Sequence, residues 1–351
     1  MKRILKIVSV IIATLIGAGF ASGQEIKVFF YSYGAKGLFG LVSCSILFAF
    51  VIYKVLKMSK INNIETYKDF VYILVGRASS KKYLNVSFII NTIVNLFLMI
   101  TFFIMLAGFG AYFSQEMGVS SYIGSGILAS LCFITLMSNV NGVVKVSSYL
   151  VPILVVFILI IGGINITSIN LYQTINELTN VNSYGWLLSS VLYCSYNSIL
   201  LIPVLITLKK YIKSDRDISI SALISGGLIF ILAIAIYFLL SRVNIDIETL
   251  EMPIVYVISN FFTWFKIIYA FIILSSIYTT AISIGVSFLE NISKNKKSYT
   301  LIGLSICIIG FIVSGFGFSN LVTLLYPIFG YLGVIQIGAL MFRYAGKSGS
   351  E

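Results

Sequence analysis

What most constrains this chain is the recurrence of apolar runs near 20 residues, the length a helix needs to cross a bilayer core. Ten can be read in order: Ile4–Phe30, Leu38–Met58, Tyr83–Phe113, Tyr122–Ser138, Ser147–Ile166, Tyr184–Leu208, Ile218–Leu240, Phe261–Leu289, Tyr299–Phe316 and Leu321–Phe342. With 59% hydrophobic and 10% charged residues, a soluble fold is excluded. The expectation is an all-α integral membrane protein of about ten transmembrane helices, in one transmembrane domain over 1–351 with the lipid bilayer as its surroundings. Inside hydrocarbon every backbone polar group must be satisfied internally, which leaves helices or closed barrels.

Charge gives the orientation. All but Lys27, Lys36, Arg242 and Lys266 of the 24 basic residues fall at the ends of spans on the side of the N-terminus. Under the positive-inside rule both termini are cytoplasmic, in the cell membrane. The net charge of +12 is then topology, and no nucleic-acid partner is implied. The segment 59–82 is polar, with Ile64, Tyr67, Phe70, Val71 and Leu74 at helical spacing, which predicts a short helix lying on the membrane surface. Asn85, Asn91, Thr92 and Asn95 share one face of the third span, expected to look into the protein interior or a cavity.

The first span is unlike the rest. Its middle reads Gly17-Ala18-Gly19-Phe20-Ala21-Ser22-Gly23-Gln24-Glu25. Glycine in a helix interior costs about 1 kcal/mol relative to alanine, and a carboxylate at membrane depth costs more. A helix broken at mid-membrane accounts for both, because unwound backbone frees N–H and C=O groups for a ligand. A glycine-rich packing face is the alternative, Gly19 and Gly23 being four apart, but it leaves Glu25 unexplained. The sixth span is interrupted in a similar way, by Ser195, Tyr196, Asn197 and Ser198 ahead of Pro203. A second break near 195–198 is expected there; the residues equally allow a Pro-kinked helix whose polar groups bond to neighbours. Interruptions in the first and sixth of ten spans divide the chain into two halves of five, 1–166 and 184–342, that begin on opposite sides of the membrane. That is the pattern of an inverted repeat with its ligand site between the halves.

The expected site follows from electrostatics. The half-helix beginning near Ala21 presents N–H groups to an anionic group, and carbonyls at the broken ends receive a cationic one. A small zwitterion of amino-acid type fits, with Gly17, Ala18, Gly19, Phe20, Ser22 and Gly23 at the break and Tyr193, Ser195, Tyr196 and Asn197 opposite. Phe20, Tyr193 and Tyr196 would wall its side chain. Glu25 is expected to gate, to pair with Lys27 or Lys266, or to carry a coupling proton, pairing being the plainest role. There is no histidine and no clustered cysteine, and no nucleophile–base set or metal-ligand spacing, so neither an enzyme nor a protein with a resident cofactor is expected.

Gly17-Ala18-Gly19-Phe20 resembles the glycine-small-glycine-apolar signature in the first helix of the amino acid–polyamine–organocation (APC) superfamily, with its LeuT-type fold. The longer run Gly17–Ile26, together with Phe316-Gly317-Phe318-Ser319-Asn320-Leu321, is similar to the bacterial YkvI-type membrane proteins. The resemblance implies a 5+5 inverted repeat with helices 1 and 6 broken, and secondary active transport by alternating access. Sodium-coupled members hold the ion between the first-helix break and hydroxyl residues of the eighth helix. Carried over, the ligands would be carbonyls of Gly17, Phe20 and Ser276 and hydroxyls of Thr279 and Thr280, all neutral oxygens suited to Na⁺. Proton-coupled relatives place a lysine in the fifth span, whereas 153–164 has no ionisable residue here. Sodium is therefore the expected coupling ion and a proton the alternative. A non-transporting sensor of the spore-germination type on the same fold is the alternative function. Back-bonding of Thr279 and Thr280 to the preceding turn is the plain alternative for those hydroxyls.

Overall fold

A computed structural model describes residues 2–75, 80–138, 141–166, 185–259 and 263–345, and in them the chain is helical, without strands. The first span comprises α1 (Lys2–Leu15), α2 (Ala18–Ala21) and α3 (Gln24–Phe29). It is followed by α4 (Ala35–Ile61), α5 (Tyr67–Val75), α6 (Ser80–Met117), α7 (Ser121–Met137), α8 (Asn141–Ile166), α9 (Trp186–Leu208), α10 (Asp215–Leu240), α11 (Pro253–Ser259), α12 (Thr263–Ile292), α13 (Lys296–Val313) and α14 (Phe318–Ala345).

Among the described residues seven helices are long and apolar enough to cross a membrane: α4, the part of α6 from Phe88, and α9, α10, α12, α13 and α14. This is a multi-pass helical membrane protein. The other three expected spans are helical too, but the first is in pieces, α7 has 17 residues, and the apolar stretch of α8 runs over Pro152–Ile164. The lipid side is legible in the packing. Along α13, Leu301, Leu304, Ile308 and Ile312 are exposed on one face while Gly303, Ile306 and Gly310 are buried on the other. In hydrocarbon such exposure is the favourable arrangement.

At the centre stands α9, which packs against α14 and α4, while α4 also packs against α10. Beside this group α6 packs on α7 and α12, with α13 against both α6 and α7. The first span lies on α9 and α10. The expected surface helix exists as α5, opened by Thr66, which exchanges hydrogen bonds with Asp69. Those bonds hold the exposed Asp69 carboxyl below its usual range. Its apolar residues do not lie on lipid, however. Ile64, Phe70, Val71 and Leu74 are buried, and the Tyr67 hydroxyl accepts a bond from Gln336 of α14. On the polar face of α6 the interior is not what most of the side chains meet. Asn91 and Thr92 are exposed, Thr92 bonding back to Phe88, and only Asn95 reaches across, to Asn291. The Asn85 side chain and the loop 167–183 with Glu177 lie outside the described residues.

The sixth span does not follow the expectation of a second break. α9 is continuous from Trp186 to Leu208 with Pro203 inside it. The serine and asparagine side chains at the expected break satisfy themselves within the helix: Ser195 donates to the Val191 carbonyl at 2.6 Å, Asn197 to Tyr193 at 3.0 Å and Ser198 to Cys194 at 2.7 Å. Such back-bonding keeps polar side chains tolerable in a membrane helix and leaves the ladder intact. Of the LeuT-like pair of broken helices, therefore, helix 1 is broken and helix 6 is not.

Candidate functional site

The break in the first span is real and it is double. α1 stops at Leu15, Gly17 is extended at φ −99° and ψ −171°, and α2 makes a single turn. Ser22 and Gly23 then turn the chain again before α3. Gly23 has φ +85°, the left-handed region where a side chain is strained, and a β-carbon there would also press on Ile254. Ser22 is buried in the turn, donating to the Gly19 carbonyl at 3.1 Å while its own carbonyl accepts from the Ile254 N–H at 3.0 Å. Ala18, Gly19, Phe20 and Ala21 are all buried. Unwound backbone at the protein centre is the circumstance in which irregular chain is tolerated at membrane depth.

Glycine at 19 has a specific cause. A β-carbon at that position would collide with the Glu25 carboxylate, which folds back over the α2 turn. Glu25 is 4% exposed and accepts a hydrogen bond from the Tyr193 hydroxyl at 3.1 Å. The Tyr196 hydroxyl, on the same helix and also buried, faces the same carboxylate. Neither expected pairing forms. Lys27, itself 2% exposed, reaches Glu248 at 3.2 Å, and Lys266 reaches Glu116 at 2.8 Å.

The rings around this carboxylate form a continuous cluster. Tyr193 and Tyr196 meet edge to face at 5.5 Å, Phe29 touches both, and Tyr326 of α14 stacks on Tyr196 at 4.7 Å. Tyr193 and Tyr196, two of the expected wall residues, lie against Phe29, and the third, Phe20, is buried in α2. Sequence reasoning missed Phe29 and Tyr326. The spacing of Glu25 and Phe29, four apart in a helix, places both on one face and was a usable signal. Tyr326 carried none, being at the far end of the chain. Ser195 and Asn197 are on the same helix but engaged with their own turns, and Ser195 lies against α14, where its carbonyl is close to Gly333.

The expected ion ligands sit on two elements that do meet, since α12 packs against α2 and the Tyr269 hydroxyl donates to the Ala21 carbonyl at 2.5 Å. The Gly17 carbonyl accepts from Ala21 and that of Phe20 from Gly23, each keeping a second lone pair. Ser276 and Thr279 are buried, Thr280 half-buried. The Thr279 hydroxyl donates to the Ser276 carbonyl at 3.2 Å, the back-bonding that was the plain alternative.

The α3 end of the break is covered by residues 247–254. Gln24 donates from its amide to the carbonyls of Leu250 and Glu251 at 2.7 and 2.8 Å. Lys27 reaches the Ile247 carbonyl as well as Glu248. Glu251 in turn accepts from the Ser319 N–H at the start of α14, and Gln115 of α6 bonds both backbone groups of Met252. Among the described residues no group of three His, Cys, Asp or Glu side chains could hold a metal ion.

No family model matches the sequence. It is 30% identical over 345 residues to the uncharacterized membrane protein YkvI of Bacillus subtilis, covering 96% of this chain and 95% of that protein. It is 25% identical over 344 residues to YyaD of the same bacterium, covering 96% of each. Two mutant crystal structures of the Eremococcus coleocola manganese transporter superpose with a TM-score of 0.63 at 14% identity, over 95% of this chain and 77% of that one. At that identity the likeness is one of fold.

Proposed function

The chain belongs to the YkvI family of membrane proteins, and from that premise we propose that it is a secondary active transporter, not an enzyme, moving a small amino acid or related zwitterion by alternating access. The observation that carries this reading is the double break of the buried first span, with an ionisable side chain folded into it. Membrane proteins place costly unwound backbone and carboxylates where a solute or ion is handled. The likeness of fold to a manganese transporter supports the transport class. It does not bring manganese with it, because this histidine-free chain offers one carboxylate at the break where a transition metal favours several N, O or S ligands.

Ten spans and the two repeats, 1–166 and 184–342, belong to the same reading. Its support is that contacts exchange under a shift of five spans: the first span lies on α10 as α9 lies on α4, and α12 lies on α8 as α6 lies on α14. Both termini then face the cytoplasm. In a variant lacking Cys44, Cys132, Cys194 and Cys307, all buried, Glu248→Cys should react with an impermeant thiol reagent in intact cells and Lys210→Cys should not. The reverse pattern would invert the topology.

Sodium is the proposed coupling ion, held by the carbonyls of Gly17, Phe20 and Ser276 and the hydroxyls of Thr279 and Thr280. A hydroxyl that donates to a carbonyl keeps its lone pairs, so the Thr279 back-bond is compatible with an ion. Thr279→Ala and Thr280→Ala should each raise the Na⁺ concentration for half-maximal solute binding several-fold. By linkage Na⁺ should strengthen solute binding less in both. Identical titrations of wild type and variants, with K⁺ holding ionic strength, would remove this ion site. The transport reading itself is tested by counterflow of labelled solute in liposomes, which a transporter sustains and a sensor does not.

A further inference from the structure

The geometry points to Glu25 as the counter-ion of a small organic cation: the site at the break recognises the ammonium group of its solute through this carboxylate and the rings of Tyr193, Tyr196, Tyr326 and Phe29. The inference rests on the proposed function for the place of the site and deepens it by naming the group that is recognised.

Four observations converge. First, Glu25 is buried and, among the described residues, no basic side chain pairs with it, the two expected candidates being held by Glu248 and Glu116. An ionised carboxylate so placed needs a positive partner, since hydrogen bonds from phenols do not replace its hydration. Second, the walls are aromatic, and the faces of tyrosine and phenylalanine attract a desolvated cation while resisting an anion. Third, Tyr196 is 3% exposed and its hydroxyl is turned to this carboxylate from the same helix as that of Tyr193. The carboxylate thus meets phenol hydroxyls and no cationic donor, which leaves its positive partner to be supplied by the solute. Fourth, there is open space at the extended residue that precedes α2: apart from its own atoms and those of its chain neighbours and nearby helix backbone, no described atom lies within 4 Å of the point where a β-carbon of Gly17 would stand. The arrangement therefore selects a positively charged nitrogen over a carboxylate. It favours one over a divalent metal as well, for which a single carboxylate and neutral rings are a poor ligand set.

The test is a thermal-unfolding series on the purified full chain in lipid nanodiscs at pH 7, with ethylammonium chloride, alanine, sodium propionate and potassium chloride at equal ionic strength. A ligand that binds the folded state raises its Tm. Ethylammonium and alanine should raise it and propionate and potassium should not. Glu25→Gln should fold, since it removes a buried charge at constant shape, and should bind ethylammonium at least about thirtyfold more weakly. Glu25→Asp should keep a weakened response. Propionate or potassium acting as well as ethylammonium, or an unchanged ethylammonium response in Glu25→Gln, would overturn the assignment. So would a wild type indifferent to ethylammonium whose Glu25→Gln variant changes only the pH dependence of stability, which would make the carboxylate a proton site. Counterflow reports separately on transport. Ammonium binding without counterflow would sink the transporter reading alone, and counterflow of a solute that ethylammonium cannot displace would sink this one alone.

Discussion

Gly19→Val is expected to abolish solute binding and leave a folded protein. The β-carbon would occupy the place of the Glu25 carboxylate, whose terminal atoms are the nearest neighbours of that point. A side-chain terminus can swing away, so the collision is relieved by expelling the carboxylate from the ring cluster rather than by separating helices. Valine's branched β-carbon also disfavours the short α2 turn, by a few tenths of a kcal/mol to about 1 kcal/mol. The expected result is a modest drop in Tm, with binding of alanine or ethylammonium lost beyond detection. Gly19→Ala should give the same result more weakly. Wild-type affinity in the valine variant would show that the glycine serves packing alone and that Glu25 does not act from this position.

The opposite outcome is expected at Gly333, on α14. There a β-carbon would meet the backbone carbonyl of Ser195 and the atoms around it. Backbone cannot step aside, and among the described residues α9 and α14 form the most extensive contact between helices. Small residues at such crossings let helix backbones approach closely, where dispersion contacts rather than the hydrophobic effect hold membrane helices together. Gly333→Val should therefore cost about 3 kcal/mol or more, seen as loss of monodisperse protein on extraction or a fall in Tm with every ligand absent. The control is Ser195→Ala at the other side of the same contact. It removes only a hydroxyl bonded to its own turn and should change Tm little. A stable Gly333→Val protein with full binding would contradict the packing of α9 on α14.

What could be read from the chain and what could not divide along a physical line. Periodicity and length gave the helices, because a span announces itself by local composition. The break at 17–23 was legible for the same reason: glycines and a carboxylate inside an apolar run contradict a continuous lipid-facing helix over a few residues. The sixth span shows the limit of that reasoning. Ser195, Asn197 and Ser198 look like interruptions, yet a hydroxyl or amide can bond to its own helix four residues back, and composition does not reveal which partner it takes. The partner of Glu25 was hidden for a different cause. Lys27 is two residues away in sequence, so it falls on another face of α3 and turns to Glu248, while Tyr193 and Tyr326 arrive from helices far along the chain. For the ion site the structure adds that α12 packs against the first-span break and that Thr279 bonds back to Ser276.

The ties around α3 have a consequence for how this end of the first-span break opens. Ser22, Gln24 and Lys27 hold the segment 247–254 through its main chain, and Glu251 and Met252 hold that segment to α14 and α6. In a low-dielectric interior a donor released from such a bond finds no water waiting, so releasing one tie without the others leaves a buried group unmatched. The break and its cover therefore share one degree of freedom rather than several. Their amides form one cooperative unit in the sense of local unfolding. In hydrogen exchange the N–H groups of Ile254 and Lys27 should report the same opening free energy as each other, and Lys27→Met should lower both together.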